Sequence, residues 1–354
     1  MNVQPDRPFR DYPDLLTALD KHGIIHNNEM LDKQWLKEFG YYNLVNGYQS
    51  GLTIPNSHEI FQKGTSIEAL VLLRTFDETL AGILFPLITH FENTLETAIS
   101  YVISKHFGVF DVPFPFEPGY LAKANYKAPN MRPGRVLKRL REISTGYKDG
   151  NIESGNKIFS HPSTALCKYR SEHNHVPPWI LAHELTLGEL CLWYAICSPE
   201  IKKEICNELI PDNTHVQEGV REEFLSSSLN ILTSYRNTIA HGVSLGKVEV
   251  MKDEKSEGIQ KSVVRIIDDP SIISDKDYRL HIGQDDFFAL LLIFAVFTHG
   301  YFLFEPTINS VLLITNAIEK IRPIGHQAAR SVFRIPPRFP DRCKRLIEFY
   351  QKKK

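Results

Sequence analysis

The sequence predicts a mainly α-helical protein. Apolar residues recur at intervals of three and four in two long stretches, residues 65–102 and 222–242. Each stretch opens with hydroxyl or acidic side chains that favour a helix start, and the second closes at Gly242, which favours a helix stop. Residues 247–267 instead alternate between apolar and polar side chains around a short polar segment. This alternation predicts a small β-hairpin after the second long helix.

The N-terminal residues 1–60 are expected to form a helical extension, because short apolar patterns of helical spacing run from Asp14 to Phe39. An aromatic cluster follows, in which Gly40 and Gly47 allow tight turns. We expect its rings to anchor the core, and stacking on nucleic-acid bases is the alternative.

The first long stretch is expected to begin at Thr65 or Ser66, with Glu68 completing a capping box, and to continue past Pro86 as a second helix. Glu92 and Glu96 are four residues apart on that second helix, so the two carboxylates share one face. The alternative is that both carboxylates are solvated surface acids with no role in a site.

The region between residues 107 and 178 is broken by prolines and carries a basic patch of Arg132, Arg135, Lys138, Arg139 and Arg141. A short helix is expected over Arg135–Ile143, and its basic side chains would suit phosphate contacts, with a solvated surface as the alternative. Residues 179–196 predict one mostly buried helix, in which His183 and Glu184 are expected to be buried, hydrogen-bonded polar groups, with a role in the site as the alternative. A short helix is expected over Ile201–Leu209.

The C-terminal residues form a basic tail. From Lys320 onward there are eleven Lys or Arg residues against Asp341 and Glu348. Such a tail is usually a flexible arm, and RNA phosphates are its natural partner. The basic residues that we expect to bind RNA are those of the middle patch and of this tail: Arg132, Arg135, Lys138, Arg139, Arg338, Arg342, Lys344 and Arg345.

Composition and charge predict a globular protein and exclude a uniformly basic nucleic-acid binder. The 354 residues are 42% hydrophobic and 11% aromatic, with a formal net charge of −1, so the chain is globular and not uniformly basic. The five cysteines have no metal-binding spacing, and His173 and His175 lack further ligands at a suitable spacing. We expect free thiols, no metal and no cofactor.

The predicted location is the cytoplasm, because the N-terminus has no apolar segment of the secretory kind and free thiols suit a reducing compartment. Residues 287–304 approach the length of a membrane span, but they contain Thr298, His299 and Gly300. We expect a buried core helix and no membrane partner, with a spanning segment as the alternative.

The most informative polar residues, Arg236, Asn237 and His241, end the second long helix. Asn237 and His241 share a face, whereas Arg236 lies about 140° around the axis from His241 and reaches that face only by its length. A neutral imidazole beside a guanidinium suits proton transfer at a phosphate. The plain alternative is that these side chains complement the helix dipole and cap carbonyls.

The arrangement of Arg236, Asn237 and His241 resembles the RNxxxH motif of HEPN domains, which act on nucleic acids in prokaryotic defence and toxin systems. The flanking sequence resembles the Abi family of abortive-infection proteins. Five further segments carry that resemblance in the family's order: Tyr12–Ile24, Phe39–Tyr48, Phe61–Leu80, Ile88–Tyr101 and Pro177–Tyr194. The chain departs from the family in lacking an Arg after Asp77.

The resemblance implies a HEPN-like helical bundle over residues 61–320, with insertions at 107–178 and 245–285 and the tail at 321–354. It also implies a metal-independent endoribonuclease that cleaves RNA by 2′-hydroxyl attack, with His241 as acid or base, Arg236 stabilising charge and Asn237 orienting. Glu92, Glu96 and Tyr235 would support them, Glu92 by orienting Arg236.

Because one motif supplies one imidazole, the resemblance implies a homodimer with a composite site. An antitoxin, either a small RNA or a protein, would restrain the activity. HEPN toxins controlled by nucleotidyl transfer carry a Tyr two residues after the motif His, and Val243 stands there. The rival hypothesis is a non-catalytic RNA-binding or sensing module, and a third is a structural partner of another defence protein.

Overall fold

The computed structural model describes residues 8–111, 119–128, 131–147, 163–210, 219–248, 259, 261–297, 303–320 and 330–352. The regular elements in these ranges are helices, and two isolated β-bridges are the β-structure of the described residues. The prediction of a mainly helical protein is therefore confirmed. The α-helices are α1 (Tyr12–Lys21), α2 (Glu29–Phe39), α3 (Gly47–Leu52), α4 (Ile67–Phe107), α5 (Gly134–Thr145), α6 (Thr164–Glu172), α7 (Pro178–His183), α8 (Leu187–Ile196), α9 (Pro199–Leu209), α10 (Val220–Ala240), α11 (Ser262–Ile267), α12 (Asp275–Arg279), α13 (Phe287–Phe297), α14 (Phe304–Ile318) and α15 (Phe339–Gln351).

The axis of the fold is α4, a single helix of 41 residues that packs against helices from both halves of the chain. Its N-cap is Ser66, one of the two predicted starts, and the Ser66 hydroxyl accepts the Ala69 N–H. The third helical residue after this cap is Ala69, so the expected capping box with Glu68 is wrong. The expected break at Pro86 is wrong. An interior proline costs about 3 kcal/mol, and burial of each large apolar side chain contributes about 1.5–3 kcal/mol. Leu84, Leu87 and Ile88 beside Pro86 are all buried, so packing outweighs the proline.

The helix expected over residues 179–196 is two helices, α7 and α8, and that prediction is wrong at the junction. Thr186 caps α8, since its hydroxyl accepts the Glu189 N–H while Glu189 accepts the Thr186 N–H. The Thr-x-x-Glu spacing of a capping box is present in the sequence, but it lies within a continuous apolar stretch that favoured a single helix. The break turns α7 away from α8 and lets α7 pack along α4.

The motif helix α10 packs against α4, α8, α9, α11 and α13, with its apolar face in the common core. Gly242 has a φ of 63°, which is the left-handed conformation predicted for the residue that ends this helix. The Gly242 N–H bonds to the Ile239 carbonyl and the Val243 N–H to the Thr238 carbonyl, which is the Schellman pattern. The end of α10 is therefore a rigid turn.

The predicted β-hairpin is wrong in its second arm, because Ser262–Ile267 forms α11, with Val263, Ile266 and Ile267 buried. A spacing of three to four residues between these apolar side chains also fits a helix, and packing on α10 and α13 decides the outcome. In the first arm Lys247 ends a 3-10 turn, Leu245–Lys247, and the rest of the arm with the polar segment, residues 249–258, lies outside the described residues. Residues 268–286, which are rich in polar side chains, contain one helical turn, α12.

The apolar helix α13 is buried along its whole length, as predicted. Among the described residues, no helix is both long and apolar enough to cross a bilayer. The expectation of a flexible basic arm is wrong for α15, which buries Phe339, Cys343 and Leu346 against α13 and α14. Apolar residues at helical spacing within the basic tail supply that buried face.

Candidate functional site

The end of α10 presents two motif side chains to solvent. Asn237 and His241 are exposed, and His241 is the residue that caps the helix, immediately before Gly242. A ligand can therefore approach the imidazole and the amide directly. Both side chains project from a turn that Schellman hydrogen bonds hold in place.

The chain that follows His241 is fixed by a buried carboxylate, Asp77 of α4. Asp77 accepts hydrogen bonds from the Tyr48 hydroxyl at 2.9 Å and from the Leu245 N–H at 3.0 Å. Burial raises the pKa of Asp77, and hydrogen bonds, including one from Ser244, act in the opposite direction. Asp77 thus joins the N-terminal helices, α4 and the segment behind the motif.

A cleft of about 320 Å³ lies beside this turn, between α4 and the end of α10. Its lining includes Phe85, Ile239 and Val243 together with Arg74, whose Nε donates to Glu78 at 2.8 Å. A Cβ placed on Gly242 would lie 3.6 Å from Arg74 Nη2, so this guanidinium lies next to the residue that follows His241. We did not predict Arg74 from the sequence, where it is one cation in an apolar helix.

Arg236 extends from α10 toward Glu92, which lies further along α4 than the cleft does. Its Nε lies 3.8 Å from Glu92 Oε2, and the side chains are 31% and 15% exposed. No described residue accepts a hydrogen bond from that Nε. Burial raises the pKa of Glu92, whereas Arg236 and a hydrogen bond from the Leu187 N–H lower it. Arg236 is therefore held by charge, and its Nε proton stays uncommitted among these residues.

Glu96, one turn further along α4, holds a histidine and not Arg236. His183 Nδ1 lies 2.9 Å from Glu96 Oε1, with side-chain exposures of 79% for His183 and 15% for Glu96. The expectation that His183 is buried is wrong, because α7 ends at this residue and turns its imidazole outward. Glu184 accepts a hydrogen bond from the Ser163 hydroxyl at 2.6 Å. Glu92 and Glu96 are consequently not solvated surface acids.

Tyr235 does not take part in this site. It lies in the core with about 1% of its surface exposed, and burial raises its pKa well above the ordinary value. Its position on α10 is nearly opposite the exposed face that carries Asn237 and His241. The expected supporting role of Tyr235 is therefore wrong, and its contribution is to packing.

An open groove of about 830 Å³ lies between α5 and α8 and is called the basic groove below. Met131, Val136, Leu140 and Leu192 supply apolar surface, and Arg132, Arg135 and Lys138 supply charge at its rim. Arg139 also lines the groove, but its Nε is bound to Glu189 at 3.0 Å. Glu189 is part of the capping box that begins α8, and the N–H of Leu187, the first residue of α8, donates to Glu92. Because Glu92 also lies beside Arg236, the start of α8 lies between the groove and Arg236.

The basic residues of the tail divide into two groups. Arg338, Lys344 and Arg345 are exposed, and Arg345 pairs with Glu348 at 2.9 Å. Arg342 is only 3% exposed, and its guanidinium binds Asp277 and the Ile272 carbonyl. Arg342 is therefore not available to RNA, and that prediction is wrong. Its charge holds α15 on α12.

The remaining sequence-based site expectations concern metals and thiols. Within the described ranges, no group of three His, Cys, Asp or Glu side chains is placed to hold a metal ion. The five cysteines are free thiols, and burial raises the pKa of Cys191 to about 11.

A family model described as Abi-like protein matches residues 34–245, which is more than half of the chain. The matched range runs from α2 to the turn behind the motif, and so it contains Glu92, Glu96, Arg236 and His241. No curated protein and no solved structure matches the chain significantly.

Proposed function

The chain belongs to the Abi-like protein family, and from that premise we propose that it is an endoribonuclease of an abortive-infection or toxin–antitoxin system. The family suggests a part in defence against phage. The activity, the motif roles and the partners described below are our proposal.

The proposed reaction uses no metal. The ribose 2′-hydroxyl loses its proton to a base and attacks the adjacent phosphorus, and the departing 5′-oxygen gains a proton from an acid. His241 serves one of these transfers, Arg236 stabilises the negative charge that develops on the phosphate oxygens, and Asn237 orients the substrate. Arg suits this role because its guanidinium stays charged and presents several donors to a phosphate.

The observation that carries the proposal is the state of the three motif side chains. Asn237 and His241 are exposed on a turn that Schellman hydrogen bonds hold, and the Arg236 side chain is 31% exposed, with its buried Nε directed at Glu92. If Arg236 only capped its own helix, it would be bonded to the last carbonyls of α10. Arg236 instead lies beside Glu92, and the exposed third of its side chain is the part that a phosphate could reach.

The angular separation of Arg236 and His241 supports a two-chain site. In this structure Arg236 extends toward Glu92, on the α4 side of α10, while His241 lies on the open face. Two copies related by a two-fold axis can place the Arg236 side of each protomer against the His241 side of the other. We therefore propose a homodimer with composite sites.

RNA is held, in this proposal, along the basic groove. The apolar floor accommodates bases, while Arg132, Arg135 and Lys138 contact phosphates. Arg338, Lys344 and Arg345 of α15 are further exposed cations for the RNA backbone. A small RNA or a protein antitoxin would restrain the enzyme by covering these surfaces.

The proposal is tested by expression of wild type and of the Arg236→Ala/His241→Ala variant. We expect wild type to arrest growth and cleave RNA, and the double variant to do neither while its RNA Kd stays within about threefold, because no charge in the basic groove has changed. Arg279→Ala/His106→Ala removes an exposed Arg and a surface His elsewhere, and it should behave as wild type.

The rival, a non-catalytic RNA-binding module, predicts no cleavage by wild type and weaker RNA binding by the double variant. Wild-type toxicity and cleavage that survive both substitutions would refute the proposed role of the motif.

A further inference from the structure

Two carboxylates on one face of α4 each hold a basic side chain from a different helix. Glu92 lies 3.8 Å from Arg236 of α10, and Glu96 lies 2.9 Å from His183 of α7. The two carboxylates are four residues apart, a rise of about 6 Å along the helix. Glu96 also raises the pKa of Glu92, as expected for two neighbouring charges. Arg236 and His183 are therefore paired with carboxylates on neighbouring turns of α4.

The imidazole of His183 is arranged as that of a base. With Glu96 accepting from Nδ1–H, the neutral ring carries its lone pair on Nε2. The side chain is 79% exposed, so Nε2 is accessible to a substrate. A carboxylate that fixes the tautomer of a histidine and stabilises its protonated form is the arrangement found in catalytic triads.

We propose that His183, oriented by Glu96, is the base of the RNA cleavage reaction. This inference rests on the proposed function, and it adds the second imidazole that two proton transfers require. His183 Nε2 takes the 2′-hydroxyl proton as the bond from O2′ to phosphorus forms. The bond from phosphorus to O5′ breaks, and protonated His241 gives its proton to O5′. The products are a 2′,3′-cyclic phosphate and a 5′-hydroxyl, and no other reactant is needed.

The arrangement also explains what Glu92 and Glu96 do separately. Glu92 holds the guanidinium that faces the phosphate, and Glu96 holds the imidazole that faces the 2′-hydroxyl. In a two-chain site, Arg236 and His183 come from one protomer and His241 from the other. Glu96 is a positioning residue, because it acts through His183.

The test compares the cleavage of one short RNA by wild type, His183→Ala, Glu96→Gln and His241→Ala. His106→Ala is the matched control, because His106 forms a similar surface pair with Glu204 at 2.8 Å between α4 and α9. Loss of a general base or acid lowers kcat by about 10²- to 10⁴-fold. We expect that loss in both His183→Ala and His241→Ala, a loss of up to about 10⁴-fold in Glu96→Gln, whose amide would hold the His183 ring in the wrong tautomer, and none in His106→Ala.

A second substrate, in which sulfur replaces the bridging 5′-oxygen, separates the two roles. A thiolate leaves without a proton, so removal of the acid becomes silent and removal of the base does not. We expect this substrate to restore cleavage by His241→Ala to within about tenfold of wild type, and to leave His183→Ala defective. If His183 had only a structural role, its substitution would lower the cleavage of both substrates because less protein is folded. Circular dichroism detects that loss of folded protein.

The outcomes distinguish this inference from the proposed function. Full activity of folded His183→Ala, or its rescue by the sulfur substrate, would overturn the assignment of the base while cleavage by wild type still stood. Full activity of His241→Ala, or no cleavage by wild type, would refute the proposed function itself.

Discussion

Substitution of Glu92 by Gln is expected to lower activity without lowering stability. Glu92 and Arg236 lie 3.8 Å apart, which corresponds to about 4 kcal/mol of attraction at an effective dielectric constant of about 20. Because Arg236 is 31% exposed, solvent screening reduces the useful part to about 1–2 kcal/mol. If that attraction positions the guanidinium at the phosphate, its loss lowers kcat about 5- to 30-fold.

The same substitution is expected to leave the protein as stable as wild type, or slightly more stable, at pH 7. Burial raises the pKa of Glu92 above its unfolded value, so the folded protein binds the Glu92 proton more tightly than the unfolded chain does. The Glu92 contribution to stability is therefore greatest below the unfolded pKa of about 4.5 and declines as pH rises through the folded pKa. Gln carries no charge and retains an acceptor for the Leu187 N–H, so the stability of the Gln variant does not fall as pH rises through the folded pKa of Glu92.

The measurement combines thermal melting between pH 4 and 8 with cleavage kinetics at pH 7. We expect the Tm of Glu92→Gln to equal or exceed that of wild type at pH 7, and the difference between them to shrink or reverse near pH 4. Glu204→Gln is the control, because it breaks the pair with His106 and should leave kcat unchanged. A large loss of stability with unchanged kcat would refute the reasoning, since it would make Glu92 a structural residue.

Three further substitutions probe the surroundings of the site. Gly242→Ala should destabilise the protein by about 1 kcal/mol and lower cleavage, because a φ of 63° strains an Ala backbone. The new Cβ would make an ordinary van der Waals contact with Arg74, so it adds no clash. Thermal melting measures the stability and cleavage kinetics measure the activity. Asp77→Ala should destabilise it by about 3 kcal/mol in denaturant titrations, because buried Tyr48 and Leu245 donors lose their acceptor. Arg135→Glu with Lys138→Glu should weaken RNA binding at low salt and flatten its salt dependence, measured by titration.

Each of these predictions has a contrary result. Gly242→Asn is the control for the first, because Asn tolerates the left-handed region better than Ala does; an Ala variant equal to wild type would remove the role of the turn. An unchanged unfolding midpoint for Asp77→Ala would show that the Asp77 hydrogen bonds do not anchor the segment behind the motif. An unchanged salt slope in the charge-reversal variant would place the RNA elsewhere than the basic groove.

The sequence by itself determined the helical class, several helix limits and the position of the motif. Periodicity marked α4 and α10, Ser66 marked a start and Gly242 a stop. These features depend on short-range effects: the repeat of apolar side chains, the hydrogen bonds of a cap and the backbone freedom of glycine. Consequently a local reading placed His241 correctly at the end of a long helix.

Only the tertiary structure decided where the chain crosses Pro86, how Ser262–Ile267 folds, and which partner each polar side chain takes. Packing on both sides of α4 outweighs the proline, and contact with α10 and α13 makes α11 a helix where alternation suggested a strand. Glu96 meets His183 and Arg342 meets Asp277 across 87 and 65 residues of chain. Such pairs depend on how distant segments pack, which neither periodicity nor the spacing of a motif records.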